Sequence, residues 1–129
     1  MGKVVVTPPR IDTTLFRPAA HKWPDLVASV GRLSPEKNIG ALIEAVAYLP
    51  WSHLWIAGDG PLHVELSRLV ASIGNNRIVL LGNVPNSLVA WILSRSEYFV
   101  LPSLYDQAPK ALWEAMSAGC LCVVSAQVG

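Results

Sequence analysis

From Leu26 onward, short unbroken apolar runs alternate with longer segments of helical period. The runs are 26–30 (LVASV), 53–58 (HLWIAG), 77–82 (RIVLLG), 98–102 (YFVLP) and 121–125 (LCVVS). They lack the polar alternation of a half-exposed strand, which predicts parallel strands buried on both faces. Between them, Ile39, Leu42, Ile43, Val46 and Leu49 fall at helical spacing, as do Leu62, Leu66, Leu69, Val70 and Ile73. Leu88, Val89, Ile92 and Leu93 make a shorter stripe, and a fourth helix is expected over 109–118. Parallel neighbours need helix-length crossovers, and right-handed crossovers place helices on both faces, so the pattern predicts a Rossmann-like, doubly wound α/β sheet.

Such sheets bind ligands beyond the carboxyl ends of their strands, near the point where strand order reverses. Gly31-Arg32-Leu33 follows the first run, Gly58-Asp59-Gly60-Pro61 the second, Gly82-Asn83 the third, and 103–109 the fourth. The unusual polar clusters therefore belong to one edge. Glycine at strand ends is also ordinary turn chemistry, and Asp59 fits the role of organising its own turn.

Composition narrows the class further. The 129 residues suffice for one domain with a real core. With 52% hydrophobic and 15% charged residues and a formal charge of +1, the chain is neither disordered nor a nucleic-acid-coating protein. Cys120 and Cys122 would point to opposite faces of one strand, a poor geometry for a bridge and the pattern of buried thiols in a reducing compartment. No apolar run approaches the roughly 20 residues of a spanning helix, so a cytoplasmic location is expected. The Pro-rich opening reads as a linker over 1–24, with the folded domain over 25–129.

Ser34-Pro35-Glu36-Lys37 reads as a helix start, with Ser34 as N-cap and Pro35 first in the helix. A cation in the first turn opposes the helix dipole by roughly 0.3–1 kcal/mol, so Lys37 is best explained by a visiting anion, on which Arg32 would converge. Pro109 fits another first helical position, putting Asp106, Gln107 and Ala108 in the loop before it and Glu114 inside the helix. Backbone amides at such a terminus attract phosphate, whereas ionised carboxylates accept hydrogen bonds only and so suit sugar hydroxyls. A nucleotide sugar combines a ribose, a diphosphate and a hexose.

The set GRLSPEKN at 31–38, GDGP at 58–61, LLGNV at 80–84, PS at 102–103, and Asp106 and Glu114 with seven residues between them resembles one family: the retaining glycosyltransferases of the GT-B fold, family 4, in their donor-binding half. The resemblance runs over about residues 4–129 in one order and spacing. It implies that Arg32 and Lys37 bind the diphosphate, that Glu114 accepts from ribose hydroxyls and Asp106 from hexose hydroxyls, and that Gln107 and Ala108 offer backbone amides. Gly31, Gly58 and Gly60 would border the donor, and Gly82, Asn83 and Val84 would meet the base. The implied partner is a UDP-, GDP- or ADP-linked sugar, with no cofactor, no metal and no nucleic acid. Asp12, Asp25, Asp59 and Asp106 form no D-x-D pair.

The chain departs from the family in having Asp106 where Glu is usual, and Gln107-Ala108 where Gly-Phe often stands. The family also carries an acceptor domain before this one and further elements after it. The chain thus reads as part of a longer hexosyltransferase acting on a glycan or lipid-linked acceptor, with peripheral attachment to the cytoplasmic face of a membrane. Alone it should bind without efficient turnover. The alternative is a non-catalytic module that keeps the sheet and has lost transfer. A generic nucleotide-binding protein is disfavoured because neither G-x-G-x-x-G nor G-x-x-x-x-G-K-[ST] occurs.

Overall fold

The structure, a computed structural model, describes residues 10–74, 76–104 and 110–125. Its elements run β1 (Trp23–Val30), α1 (Ile39–Ala47), β2 (His53–Ala57), α2 (His63–Ile73), β3 (Ile78–Gly82), α3 (Asn86–Arg95), β4 (Ser96–Leu101), α4 (Lys110–Ser117) and β5 (Leu121–Val124). The five strands are all parallel, in the order β3-β2-β1-β4-β5. Strand order therefore reverses between β1 and β4, as the doubly wound reading expects.

Each face of the sheet has its own core. Ile39, Leu42, Ile43 and Val46 of α1 and Leu66 of α2 pack on Val27, Leu54 and Ile56. On the other side Val89, Ile92 and Leu93 of α3 and Ala115 of α4 close over Ala28, Phe99 and Leu101. Burying a side chain such as Leu54 stabilises the fold by about 1.5–3 kcal/mol. Phe16, buried in the second core, fastens the segment before β1 to the helices. Its carbonyl accepts from the Ser117 hydroxyl, and Ala19 N–H donates to Ser94 O at 3.1 Å.

Three differences from the apolar pattern have local causes. β1 begins at Trp23, where exposed Trp23 and Pro24 and the positive φ of Asp25 (68°) accompany a register shift against β4. Those polar and irregular residues hid the start of the strand. Ser34 takes the N-cap place with Pro35 after it, but of a 3-10 turn rather than of α1, and makes no side-chain cap, its hydroxyl donating to Glu36 Oε1 at 2.7 Å. Pro35–Lys37 is a single 3-10 turn ended by Asn38 at φ 56°, a left-handed conformation asparagine tolerates, and α1 starts only at Ile39. β5, expected to be covered on both faces, leaves Leu121, Val123 and Val124 exposed, whereas β3, the other outer strand, is buried or half-buried along its length with α2 against it.

The two edges of the sheet are held differently. At the edge where the helices end, cations satisfy last-turn carbonyls. Lys22 Nζ donates to Ala118 O (2.7 Å) and Leu93 O (3.2 Å), and Arg77 Nη1 donates to Leu49 O and Ser52 O (2.8 Å each). At the opposite edge, backbone meets backbone. Leu33 N–H donates to Asp59 O and Leu62 N–H to Leu33 O, each at 3.0 Å, while Gly58 N–H donates to Gly82 O at 2.8 Å. The approach is close enough to require glycine: a Cβ on Gly58 (φ 136°) would lie 1.8 Å from Gly31 O, and one on Gly60 would lie 2.5 Å from Leu33 O.

Gly58→Ala should therefore destabilise the chain by about 2–4 kcal/mol, combining a disfavoured backbone with a backbone collision. Gly40→Ala is the control: its Cβ would meet Leu66 Cδ2 at an ordinary 3.7 Å inside α1, and about 0.5–1 kcal/mol of stabilisation is expected. Urea unfolding of both variants checks the contrast, and equal midpoints would contradict the turn-to-turn packing.

Candidate functional site

The tied turns form one wall of a cleft of about 590 Å³ at the carboxyl ends of β1, β2 and β3. Gly31, Arg32, Gly58, Gly60, Asn83 and Val84 line it, so six of the residues singled out in the sequence come together there. Gly82 ends β3 beside them and bridges to Gly58. The apolar side is made by Val30, Ala57 and Val89, which the sequence reading took only as core positions. Val89 arrives from α3, and its stripe of apolar residues carried no sign that one member would face a cleft.

Arg32 is the exposed cation of this lining, and Asp59 its exposed anion. Asp59 organises its turn as expected, with Oδ1 accepting from Gly60 N–H at 2.8 Å. The same oxygen lies 3.7 Å from His63 Nδ1, which is buried and has no hydrogen-bond partner. Helix starts contribute a second feature. The N-caps of α1, α2 and α3 are Asn38, Leu62 and Pro85, and none caps through a side-chain hydrogen bond. Backbone carbonyls take some of the amides there instead, His63 N–H donating to Gly60 O at 3.1 Å and Leu88 N–H to Pro85 O at 3.0 Å, and the helix starts turn their positive ends to this edge.

Lys37 and Glu114 are not among the residues lining the cleft. Lys37 closes the 3-10 turn, so it precedes α1 rather than lying within the first turn of a longer helix. That turn sits over the reversal point of the sheet, because Leu104 N–H, just beyond β4, donates to Glu36 O at 2.8 Å. Glu36 itself is held below the usual carboxylate range, chiefly by the Ser34 hydroxyl. Glu114 lies on α4 and is only 5% exposed, with Lys110 Nζ 4.0 Å from its Oε2. Burial pushes its carboxyl above the ordinary value, and Lys110 opposes that shift. Asp106, Gln107 and Ala108 lie outside the described residues.

The cysteines offer no competing chemistry. Cys120 Sγ donates to Leu93 O at 3.1 Å, and burial raises its thiol to about 11, so a reactive thiolate is suppressed. Both cysteines are free.

This architecture has close counterparts. The sequence profile of the glycosyl transferases group 1 matches residues 11–129. An α-1,3-galactosyltransferase of Escherichia coli, which uses UDP-Gal and α-D-GlcNAc-diphosphoundecaprenol, is 36% identical over 95% of this chain and 36% of its own length. The lipopolysaccharide outer core galactosyltransferase WaaB is 26% identical with a TM-score of 0.79, over 98% of this chain and 37% of that one. The pneumococcal O-GlcNAc transferase GtfA, solved with UDP and GlcNAc, is 27% identical with a TM-score of 0.73, over 92% and 24% of the two chains. The chain thus spans about a third of the length of the galactosyltransferase it matches. With the profile covering nearly all of a fold whose turns build this cleft, the chain belongs to the family of glycosyl transferases group 1.

Proposed function

We propose that the chain is the donor-binding half of a retaining hexosyltransferase and that the cleft holds a nucleotide-diphosphate sugar. The observation that carries this reading is the convergence of Arg32 with the glycine turns and Asn83-Val84 in one cleft at the carboxyl edge. The complex of the pneumococcal relative with UDP and GlcNAc supports a nucleotide-sugar ligand. In this reading Asn83 and Val84 border the base through their main chain. Arg32 takes diphosphate oxygens by bidentate hydrogen bonds, and Lys37 adds a point charge from the neighbouring turn. In the intact enzyme the same cations would stabilise charge developing on the departing diphosphate. Glu114 accepts from ribose hydroxyls and Asp106 from the hexose, with Gln107 and Ala108 donating backbone amides. An acceptor-binding domain elsewhere in a longer protein would close the cleft and bring the nucleophile.

Glu114 bears on this reading through stability. A carboxyl raised by burial contributes no penalty below its ordinary value of 4.5, where folded and unfolded chains are both protonated. As pH rises through the raised folded value, the unfolded state ionises more readily and stability is lost. At neutral pH, where the unfolded chain gains more by ionising this carboxyl than the folded one does, the group is thus a cost to the fold, as expected of a residue kept for a ligand.

Two results are expected. Ligand-detected NMR on the isolated chain should show weak binding of at least one of a panel of UDP-, GDP- and ADP-sugars, in the range of roughly 0.1–10 mM, since half of the site's closure is absent. Binding should persist in EDTA and weaken by about 1.5–3 kcal/mol in Arg32→Ala, with Arg32→Lys a poor rescue because the fork geometry is lost. A folded chain that gives no saturation transfer, or binding indifferent to Arg32, would remove the proposal. For Glu114→Gln, the urea midpoint should exceed that of the parent at pH 7, and the difference should vanish below the ordinary carboxyl value. The same variant should weaken nucleotide and nucleotide sugar alike, whereas Asp106→Ala should reduce only the increment due to the sugar. A Glu114→Gln chain no more stable at pH 7 would contradict a carboxyl raised by burial.

A further inference from the structure

The cleft at the carboxyl edge carries one charge that works against its proposed ligand. Arg32 and Asp59 are the charged residues of its lining, so the wall is neutral, although a nucleotide sugar is negative on both phosphates. Asp59 is tied to its turn, its Oδ1 accepting from Gly60 N–H at 2.8 Å, and Gly60 lies so close to Leu33 that no Cβ would fit. An asparagine would supply the same acceptor without the charge. The carboxylate is therefore accounted for by what faces it rather than by the turn.

His63, the first residue of α2, faces it. Its Nδ1 lies 3.7 Å from the oxygen that Gly60 uses, and among the described residues this is the buried side-chain nitrogen or oxygen that lacks a hydrogen-bond partner. Such an atom is costly until it is paired. With a proton on Nε2 alone, the imidazole turns a lone pair towards the carboxylate. With a proton on Nδ1 as well it is a cation facing an anion, and a small rotation of the side chain closes the gap to a hydrogen bond.

The surroundings leave Asp59 as the partner. α1 and β3 pack against α2; α1 bears only Glu44, which is exposed, and β3 bears no charged residue. The segment between β1 and α1 brings Arg32, Glu36 and Lys37, and Glu36 is engaged with the Ser34 hydroxyl. On α2 itself Glu65 and Arg68 stand at i+2 and i+5 from His63, off its face of the helix, and both are exposed. The other imidazoles are remote in the fold, His21 preceding β1 and His53 opening β2 at the opposite edge.

We propose, on the reading of this cleft as the donor site, that His63 is its positioning residue: protonated at Nδ1, it pairs with Asp59, holds the carboxylate on the turn and cancels its charge. Arg32 then meets the donor phosphates unopposed. An arriving diphosphate adds negative charge near the pair and favours the protonated imidazole, so donor binding takes up a proton. Affinity accordingly rises as pH falls through the range in which imidazoles titrate, about pH 5–8. Glu114 acts in the opposite sense, since burial raises its carboxyl and a protonated carboxyl accepts less well from a ribose. A gain at low pH thus belongs to His63.

The test is the affinity of UDP-, GDP- and ADP-glucose at about pH 5.5 and about pH 8, measured by ligand-detected NMR on the parent and on His63→Gln, which stays neutral throughout. The phosphates of these probes remain ionised across the range. The ratio of the low-pH to the high-pH affinity should be at least about threefold larger in the parent than in His63→Gln. In an Asp59→Asn background the same substitution should move that ratio less than half as far. Without ligand, the Gly60 amide resonance should shift between the two pH values in the parent and stay in place in His63→Gln, because the imidazole competes for the oxygen that this amide uses. Amide spectra establish that the variants are folded. Equal ratios in parent and His63→Gln, with a nucleotide sugar bound, would overturn the role of His63 and leave the donor cleft standing, as would an effect undiminished by Asp59→Asn. A Gly60 amide indifferent to pH would overturn the pairing itself. Failure of all three nucleotide sugars to bind at either pH would remove the donor reading, and the role of His63 with it.

Discussion

Everything at the carboxyl edge depends on one contact, the backbone of the turn after β1 against the backbone of the turn after β2. Leu33 exchanges hydrogen bonds with Asp59 and Leu62, and Gly58 and Gly60 leave no room for a side chain between the turns. The contact fixes where Arg32 emerges from β1 and makes Gly31, Gly58 and Gly60 a continuous wall. The sheet supplies the direction, since parallel strands deliver all these turns to one edge. The glycines therefore shape the cleft through the course of the loops rather than through side-chain chemistry.

The two edges divide the work of stability and function. Where helices end, Lys22 and Arg77 reach across the chain to neutralise carbonyls, and the structure is closed by charged side chains. Where helices begin, the caps of α1, α2 and α3 use no side-chain bond. Backbone carbonyls such as Leu33 O and Gly60 O meet amides there instead, and the positive ends of the helix dipoles suit this edge to an anionic guest. The buried carboxyl of Glu114 follows the same logic, being a group that the fold alone gives no reason to keep ionised.

Sequence alone carried the sheet because a doubly covered strand has no option but an unbroken apolar run, and the runs of β1 to β4 include the buried residues Ala28, Leu54, Ile78 and Phe99. It carried the cleft because strand-end glycines with a nearby arginine mark the carboxyl edge. It fell short after Ser34, which takes the N-cap place of a single 3-10 turn only, because the left-handed Asn38 ends that turn before α1 begins. β5 was misjudged because an apolar run does not show whether anything packs over it, and Leu121 and Val123 are as apolar as the covered residues of β3, the other outer strand. A cluster of three indoles was also illegible: Trp23, Trp55 and Trp91 come from different elements, and only the fold gathers them. Asp106, Gln107 and Ala108 lie outside the described residues, so their part in the site rests on the resemblance of their motif.

The central claim is that the cleft at the ends of β1, β2 and β3 is where a nucleotide sugar sits. Amide chemical-shift mapping of the isotopically labelled chain during titration with the nucleotide sugars tests it most directly. The account predicts that the largest shifts fall on Gly31, Arg32, Gly58, Gly60 and Asn83, with little change at Arg17 and Arg95, which line a separate groove. Shifts confined to that groove, or scattered evenly over the surface with the five cleft amides unmoved, would contradict it.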